Sequence, residues 1–287
     1  MSRPPAPVPD ATPRDDELAT QVRETLAALR PFSREAPRVG LVLGSGLGGV
    51  AEALGDRVDM AARDVPHWPV STVPGHAGRL LFGRWRGTRV VALSGRTHRY
   101  EGYPLARVTY PVRVLAALGA RTIVLTNSAG STQREIRPGE LMLVRDHVNF
   151  VGRRGLFTRD ELRARSAGRR VAACYSIELA EALRAAAGAA GIPLRQGTLF
   201  GTHGPAYETA AEIRMAQTLG ADAVCMSTVH EATLAAELGC AVAAISCIAN
   251  YATGLAPTPL THDEVTANAA RIAVGLRELL DRWLAAA

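Results

Sequence analysis

Lysine is absent from the 287-residue sequence, so all 33 basic side chains are arginine. That absence excludes a pyridoxal-phosphate Schiff base, a lysine nucleophile and a phosphate loop of the GxxxxGK[ST] kind. Bound phosphate would have to be met by arginine, histidine, hydroxyls or backbone amides. Cysteine is scarce: Cys174, Cys225, Cys240 and Cys247 form no CxxC pair, and Cys225 and Cys247 sit in apolar runs, so they read as reduced core thiols. Aromatic residues are only 5% of the chain. The one dense arginine cluster, residues 153–170, contains a single aromatic, Phe157, and so lacks the interleaved stacking platform of single-strand nucleic-acid binders. Long apolar runs are also missing, since the longest, residues 241–249, is about half the length a membrane-spanning helix needs. Neither nucleic acid nor membrane is expected as a partner.

What is present suits a folded domain. The chain is 47% hydrophobic and 21% charged, enough to bury a sizeable core, and its net charge of +6 fits a small anionic substrate as well as any larger polyanion. The first thirteen residues hold five prolines and no apolar stretch. They predict a disordered tail over residues 1–15, a single domain over 16–287, and a cytoplasmic location.

Short runs rich in valine, isoleucine and leucine alternate with segments of helical period, which is the pattern of an α/β fold. Strands are expected at 38–43, 89–93, 122–126, 140–144, 195–200, 223–226 and 242–248, and helices at 107–118, 177–190, 209–219, 231–238 and 263–284. The last helix is marked most clearly, by the capping-box pair Thr261 and Glu264 and a one-sided apolar stripe ending at Trp283.

The segment VGLVLGSGLGGVAEAL sets Gly44, Gly46 and Gly49 as G-x-G-x-x-G after a strand, the fingerprint of a dinucleotide site. The following GDRVDMAARDVPHWP is too polar and too soon broken by proline to be the second parallel strand of such a unit. An NAD(P)-dependent dehydrogenase is therefore a distant alternative. The loop with Ser45 serves equally as an anion nest or as a plain tight turn.

Further loops sit where α/β sheets place ligands, beyond the carboxyl ends of strands. VPGHAGRLLFG carries His76; SGRTHRYEGYP carries Arg96, His98, Tyr100 and Glu101; TNSAGS follows a third strand. An arginine fork with imidazole donors suits a tetrahedral oxyanion. In GPAYETAAE, Tyr207 offers a ring face and Glu208 an acceptor for the N–H edge of a heterocycle, and in ISCIANYATG, Asn250 both donates and accepts, as a 6-oxopurine requires. The plainer readings are that Glu208 begins a helix and that Asn250 makes a turn.

Taken in order, GSGLGG, STVPGHAGRL, GRTHRYEGYPLARVTYPVRVL, TNSAG, PGELMLVRDHVN, GPAYETAAE, LGADAVCMSTVHE and PLTHDEV resemble the trimeric branch of the purine nucleoside phosphorylase family. The resemblance runs from about residue 38 to the C-terminus. It implies a single α/β domain whose mixed central sheet is distorted toward a barrel and flanked by helices, a homotrimer with sites near subunit interfaces, no metal and no organic cofactor. It also implies reversible phosphorolysis of 6-oxopurine nucleosides, inosine and guanosine, to the base and ribose 1-phosphate. By position, Ser45, His76, Arg96, His98, the backbone of Ser128, and Ser227 would hold phosphate. Tyr100, Met226 and His262 would border the ribose, while Ala129, Gly130, Tyr207, Glu208 and Asn250 would frame the base. Asn250, Glu208 and His98 would be the catalytic group.

Several positions depart from the family pattern. Ser128 stands where alanine is usual, Ala249 where threonine is, Tyr207 where phenylalanine is and His230 where proline is, and residues 152–175 lack the family's usual signatures, with Phe157, the one aromatic before Tyr175, available to cover a neighbouring subunit's ribose. The nearest alternative is a methylthioadenosine-type phosphorylase, which usually has aspartate at the position of Asn250. A non-catalytic nucleoside-binding relative is the more distant one.

Overall fold

The computed structural model describes residues 15–33, 35–73, 78–152, 156–157, 173–255 and 262–286. The expected tail, the capping pair Thr261 and Glu264, His76, and most of the arginine-rich segment lie outside the described residues or outside the described side chains; Asp15 already belongs to the first helix.

Nine strands form one mixed sheet: β1 (Val39–Leu43), β2 (Gly55–Ala61), β3 (Arg79–Trp85), β4 (Thr88–Ser94), β5 (Thr122–Ser131), β6 (Leu141–Asn149), β7 (Leu194–Gly201), β8 (Ala223–Cys225) and β9 (Ala241–Tyr251). Their order is β2-β3-β4-β1-β5-β8-β7-β6-β9, and β9 pairs back onto β5. Five strands, β5, β8, β7, β6 and β9, thus close into a barrel, and β1 with its neighbours extends from it as an open wing. Closure removes two sheet edges that would otherwise expose unpaired amides.

The helices are α1 (Asp15–Leu29), α2 (Leu105–Val108), α3 (Tyr110–Ala117), α4 (Ile177–Ala190), α5 (Ala210–Thr218), α6 (Val229–Glu237) and α7 (His262–Ala285). They cover both faces of the sheet. One face packs Leu18 and Leu29 of α1, Val112 and Val114 of α3 and Val229 and Ala232 of α6 on strand residues such as Val42, Ile123 and Val242. The other packs Leu183 of α4 and Leu276, Leu279 and Trp283 of α7 on Leu43, Val124 and Ile245. Leu276 and Leu279 are fully buried, each contributing about 1.5–3 kcal/mol on the transfer scale. Within the described residues, no helix is long and apolar enough to cross a membrane.

The observed elements differ from the sequence expectations in four places, one being β3, where no strand was expected. The polar stretch after the glycine loop is a strand after all, but an edge one: β2 is largely exposed and runs antiparallel to β3, so it is no second strand of a dinucleotide-binding unit. The expected helix at 107–118 is two pieces that meet at Thr109, because Pro111 has no amide to donate to the preceding turn. The helix α1 had no counterpart in the expectations. Conversely, the expected helix at 177–190 is α4, capped by the Ser176 hydroxyl accepting from the Leu179 amide.

Candidate active site

Apart from Glu101, which stands behind His98, and Phe157, the candidates whose side chains are described meet in one cleft at the mouth of the barrel. Ser45, Arg96, His98, Tyr100, Ser128, Ala129, Gly130, Tyr207, Glu208, Met226, Ser227 and Asn250 line it. His262 opens α7, its side chain outside the description. Gly44 of the glycine loop also lines it, and Asn127, Val224, Cys225 and Ala252 complete the lining without having been singled out as candidates, because nothing in their type marks them as ligand-binding.

The glycine loop is built for close approach. A side chain on Gly44 would meet the Asn127 Cα at 2.8 Å and the Thr126 carbonyl at 3.0 Å, and Gly46 holds a left-handed φ of 75°. This packs the loop against β5, where the Ser128 hydroxyl donates to the Ser45 carbonyl at 2.8 Å. A short 3₁₀ turn at Gly48–Ala53 follows, in place of the α-helix a dinucleotide site presents.

At the anion end, Arg96 is 6% exposed. Its Nη1 donates to Glu231 at 2.6 Å and to Thr228 Oγ1 at 3.1 Å, its Nη2 to the Thr126 carbonyl. Thr228 Oγ1 also accepts from Asn127 Nδ2 at 3.0 Å, so its lone pairs are filled and its proton goes to Ser227 Oγ at 3.2 Å. Ser227 therefore has its own proton to give to a ligand oxygen. The geometry requires backbone strain: Thr228 sits at φ 68°, ψ −51°, with the Val229 amide donating to the Ser227 carbonyl at 2.7 Å, a γ-turn of the rarer hand. A T-x-x-E capping box, Thr228 to Glu231, joins the turn to α6, which starts at Val229 and not at 231 as expected.

His98 is oriented from behind. Its Nδ1 lies 3.2 Å from Glu101 Oε1, which makes Nδ1–H the donor, and its ring stacks on Tyr100 at 4.8 Å. Burial alone would raise the Glu101 carboxyl, but bonds from the His98 ring and amide and from Thr72 overcome it and bring it down to about 2. Burial, with Glu101 and Tyr207 nearby, pushes the Tyr100 phenol up to about 12. Cys225 lines the cleft, yet burial pushes its thiol up to about 12, which removes it as a nucleophile.

At the other end, Glu208 does not begin a helix: Thr209 is the N-cap of α5 and Glu212 the acid that completes its capping box. Glu208 is left to face the cleft beside Tyr207. Nor does Asn250 make a turn. It lies inside β9, just after a register shift against β5 that leaves Ala249 as the extra residue of a bulge. Bulges re-aim side chains, and this one turns Asn250 over Gly130, where an added Cβ would stand 3.0 Å from its Nδ2. Asn268 of α7 clasps the bulge by donating to the Ala249 carbonyl at 2.7 Å. Phe157 does not line the cleft; it packs, partly buried, with Leu105, Leu156 and Leu234. A hydroxyl-rich, cationic end and an end with paired hydrogen-bonding groups and an aromatic ring thus share one cleft, as a ligand with an anionic and a heterocyclic part requires.

The chain is similar to known proteins along most of its length. The model of the phosphorylase superfamily matches residues 38–285. Purine nucleoside phosphorylase 1 of Bacillus subtilis is 40% identical over 263 residues, covering 92% of this chain and 97% of the relative. Among solved structures, a Schistosoma purine nucleoside phosphorylase in complex with hypoxanthine superposes with a TM-score of 0.84 at 27% identity, covering 93% of this chain and 96% of that one. The Schistosoma mansoni enzyme in complex with adenosine gives 0.83 at 27%, covering 95% and 97%.

Proposed function

The chain belongs to the phosphorylase superfamily, as a relative of the purine nucleoside phosphorylases, and from that premise we propose that it phosphorolyses 6-oxopurine nucleosides in particular. Inosine, guanosine and their 2′-deoxy forms would give the free base and (deoxy)ribose 1-phosphate, reversibly. The observation that carries this reading is the convergence of Ser45, Arg96, His98 and Ser227 with Tyr207, Glu208 and Asn250 in one cleft.

In the proposed reaction phosphate lies at the Arg96 end, with Ser227, Ser45, His98, His76 and the Ser128 backbone as its donors. An oxygen of phosphate forms a bond to C1′ as the C1′–N9 bond breaks, and that electron pair leaves with the purine. The sugar gains oxocarbenium character, as in glycoside hydrolysis, and the phosphate dianion is both its electrostatic partner and its nucleophile. Asn250 hydrogen-bonds the purine where negative charge grows, Glu208 accepts from the N1–H of a 6-oxopurine, and Tyr207 covers the ring. Tyr100, Met226 and His262 border the ribose. No covalent enzyme intermediate, metal or organic cofactor takes part; phosphate is the co-substrate.

The same proposal makes the working form a cytoplasmic homotrimer with sites near subunit boundaries. Phe150, 54% exposed, stands on Phe200, which clusters with the cleft residues Val224 and Ala252. An exposed aromatic there suits burial by a neighbour, and light scattering of the purified protein tests it. For the reaction, phosphate-dependent release of base from inosine, guanosine, adenosine and 5′-methylthioadenosine is the test. Hypoxanthine and guanine should appear fastest, and a clear preference for either 6-aminopurine nucleoside would overturn the assignment.

A further inference from the structure

Thr202 stands one residue beyond β7 and does not line the cleft, yet its hydroxyl reaches into the base site. Its Oγ1 lies 2.7 Å from Glu208 Oε1 and 3.4 Å from the Cys225 carbonyl oxygen. A hydroxyl has one proton, and the shorter bond, to a charged acceptor, is the stronger. The proton therefore goes to Glu208. Thr202 is itself anchored, because its amide donates to that same Cys225 carbonyl at 2.8 Å, at the end of β8.

Glu208 needs such an anchor. It hangs from the segment between β7 and α5, whose neighbour Tyr207 is 40% exposed, and among the described residues no other donor reaches its carboxylate. A glutamate with three free side-chain torsions would lose that freedom each time a base bound, a cost that preorganisation removes.

We propose that Thr202 is a positioning residue for base recognition: by holding Glu208 Oε1 it aims Oε2 at the N–H edge of the purine. The inference rests on the reading of Glu208 as the base acceptor given above. It also bears on selectivity, since a carboxylate held in place opposite the bare N1 of a 6-aminopurine is repelled by that lone pair, whereas one free to swing away is not.

The test is the near-isosteric Thr202→Val in the full-length protein, alongside Thr202→Ser, Glu208→Ala and the double variant Thr202→Val with Glu208→Ala. Thr202→Val should raise the inosine KM about tenfold, the loss expected for one hydrogen bond to a charged group, with kcat and the phosphate KM little changed. The preference for inosine over adenosine should fall with it. Thr202→Ser should retain wild-type values, and in the Glu208→Ala background Thr202→Val should cost nothing more, because residues acting through one another are not additive. Wild-type kinetics in Thr202→Val while Glu208→Ala is impaired would overturn the inference alone, as would additive losses, equal damage to the phosphate KM or failure of the serine variant. Full activity in Glu208→Ala would instead remove the base-site reading and this inference with it.

Discussion

Glu231 Oε2 lies 2.6 Å from Arg96 Nη1, and both side chains are 3% exposed. The buried cation at the anion end is therefore matched before any ligand arrives. Removing one member of such a pair is costly because the other is left uncompensated, on the order of 3–5 kcal/mol. Glu231→Gln should lower the melting temperature accordingly, and saturating phosphate should recover more of the loss than it adds to the wild type, since the anion supplies the missing charge. Differential scanning fluorimetry with and without phosphate measures this; an identical phosphate increment in both proteins would take Arg96 out of the phosphate site.

The Ser128 hydroxyl ties β5 to the glycine loop through the Ser45 carbonyl. Ser128→Ala removes one neutral hydrogen bond, worth about 0.5–1.5 kcal/mol. The phosphate KM should rise about three- to tenfold while the inosine KM stays put. Steady-state kinetics with each substrate varied in turn would show this, and equal changes in both constants would mean the hydroxyl does not act through the loop.

The Ala249 bulge sets Asn250 over Gly130 in the cleft. Asn250→Ala should lower kcat/KM for inosine by about 10²-fold, mostly in kcat, as for loss of a transition-state donor. A change confined to KM would recast it as a ground-state contact.

His230 is fully buried, both ring nitrogens lack hydrogen-bond partners among the described residues, and burial pulls its pKa from 6.5 to about 4; Glu231, Arg96, His98 and His147 are the charged and titratable groups around it. Between those values the unfolded chain binds the proton and the folded protein does not. The His230 contribution to stability should therefore fall as pH drops from about 6.5 to about 4, by roughly 3 kcal/mol, and change no further below that. His230→Leu should be at least as stable at neutral pH and should lose that component of acid sensitivity. Urea unfolding at pH 7, 5.5 and 4.5 decides it, and parallel pH curves for the two proteins would contradict the account.

Much of this protein was decided locally. Alternating apolar runs and helical periods specify α/β layers, because periods of 2 and 3.6 tell each segment which face to bury. The glycine- and hydroxyl-rich loops after strands are the candidate ligand loops, and Ser45, Arg96, His98, Glu208 and Asn250 were named there, beside plainer readings that only the structure set aside for Glu208 and Asn250. Only tertiary structure decided the rest. The wing strands β2 and β3 escape sequence patterning because β2 is an exposed edge whose strand character comes from pairing with β3, not from an apolar run. Barrel closure of β9 on β5, the bulge at Ala249 and the strained turn at Thr228 depend on partners far along the chain. So do the bond from Arg96 to Glu231, 135 positions apart, and the anchoring of Thr202 on Cys225, 23 apart, that sets up its bond to Glu208. No local period encodes such contacts. They exist because burying a charge or a polar group demands a partner, and the fold alone determines which one is within reach.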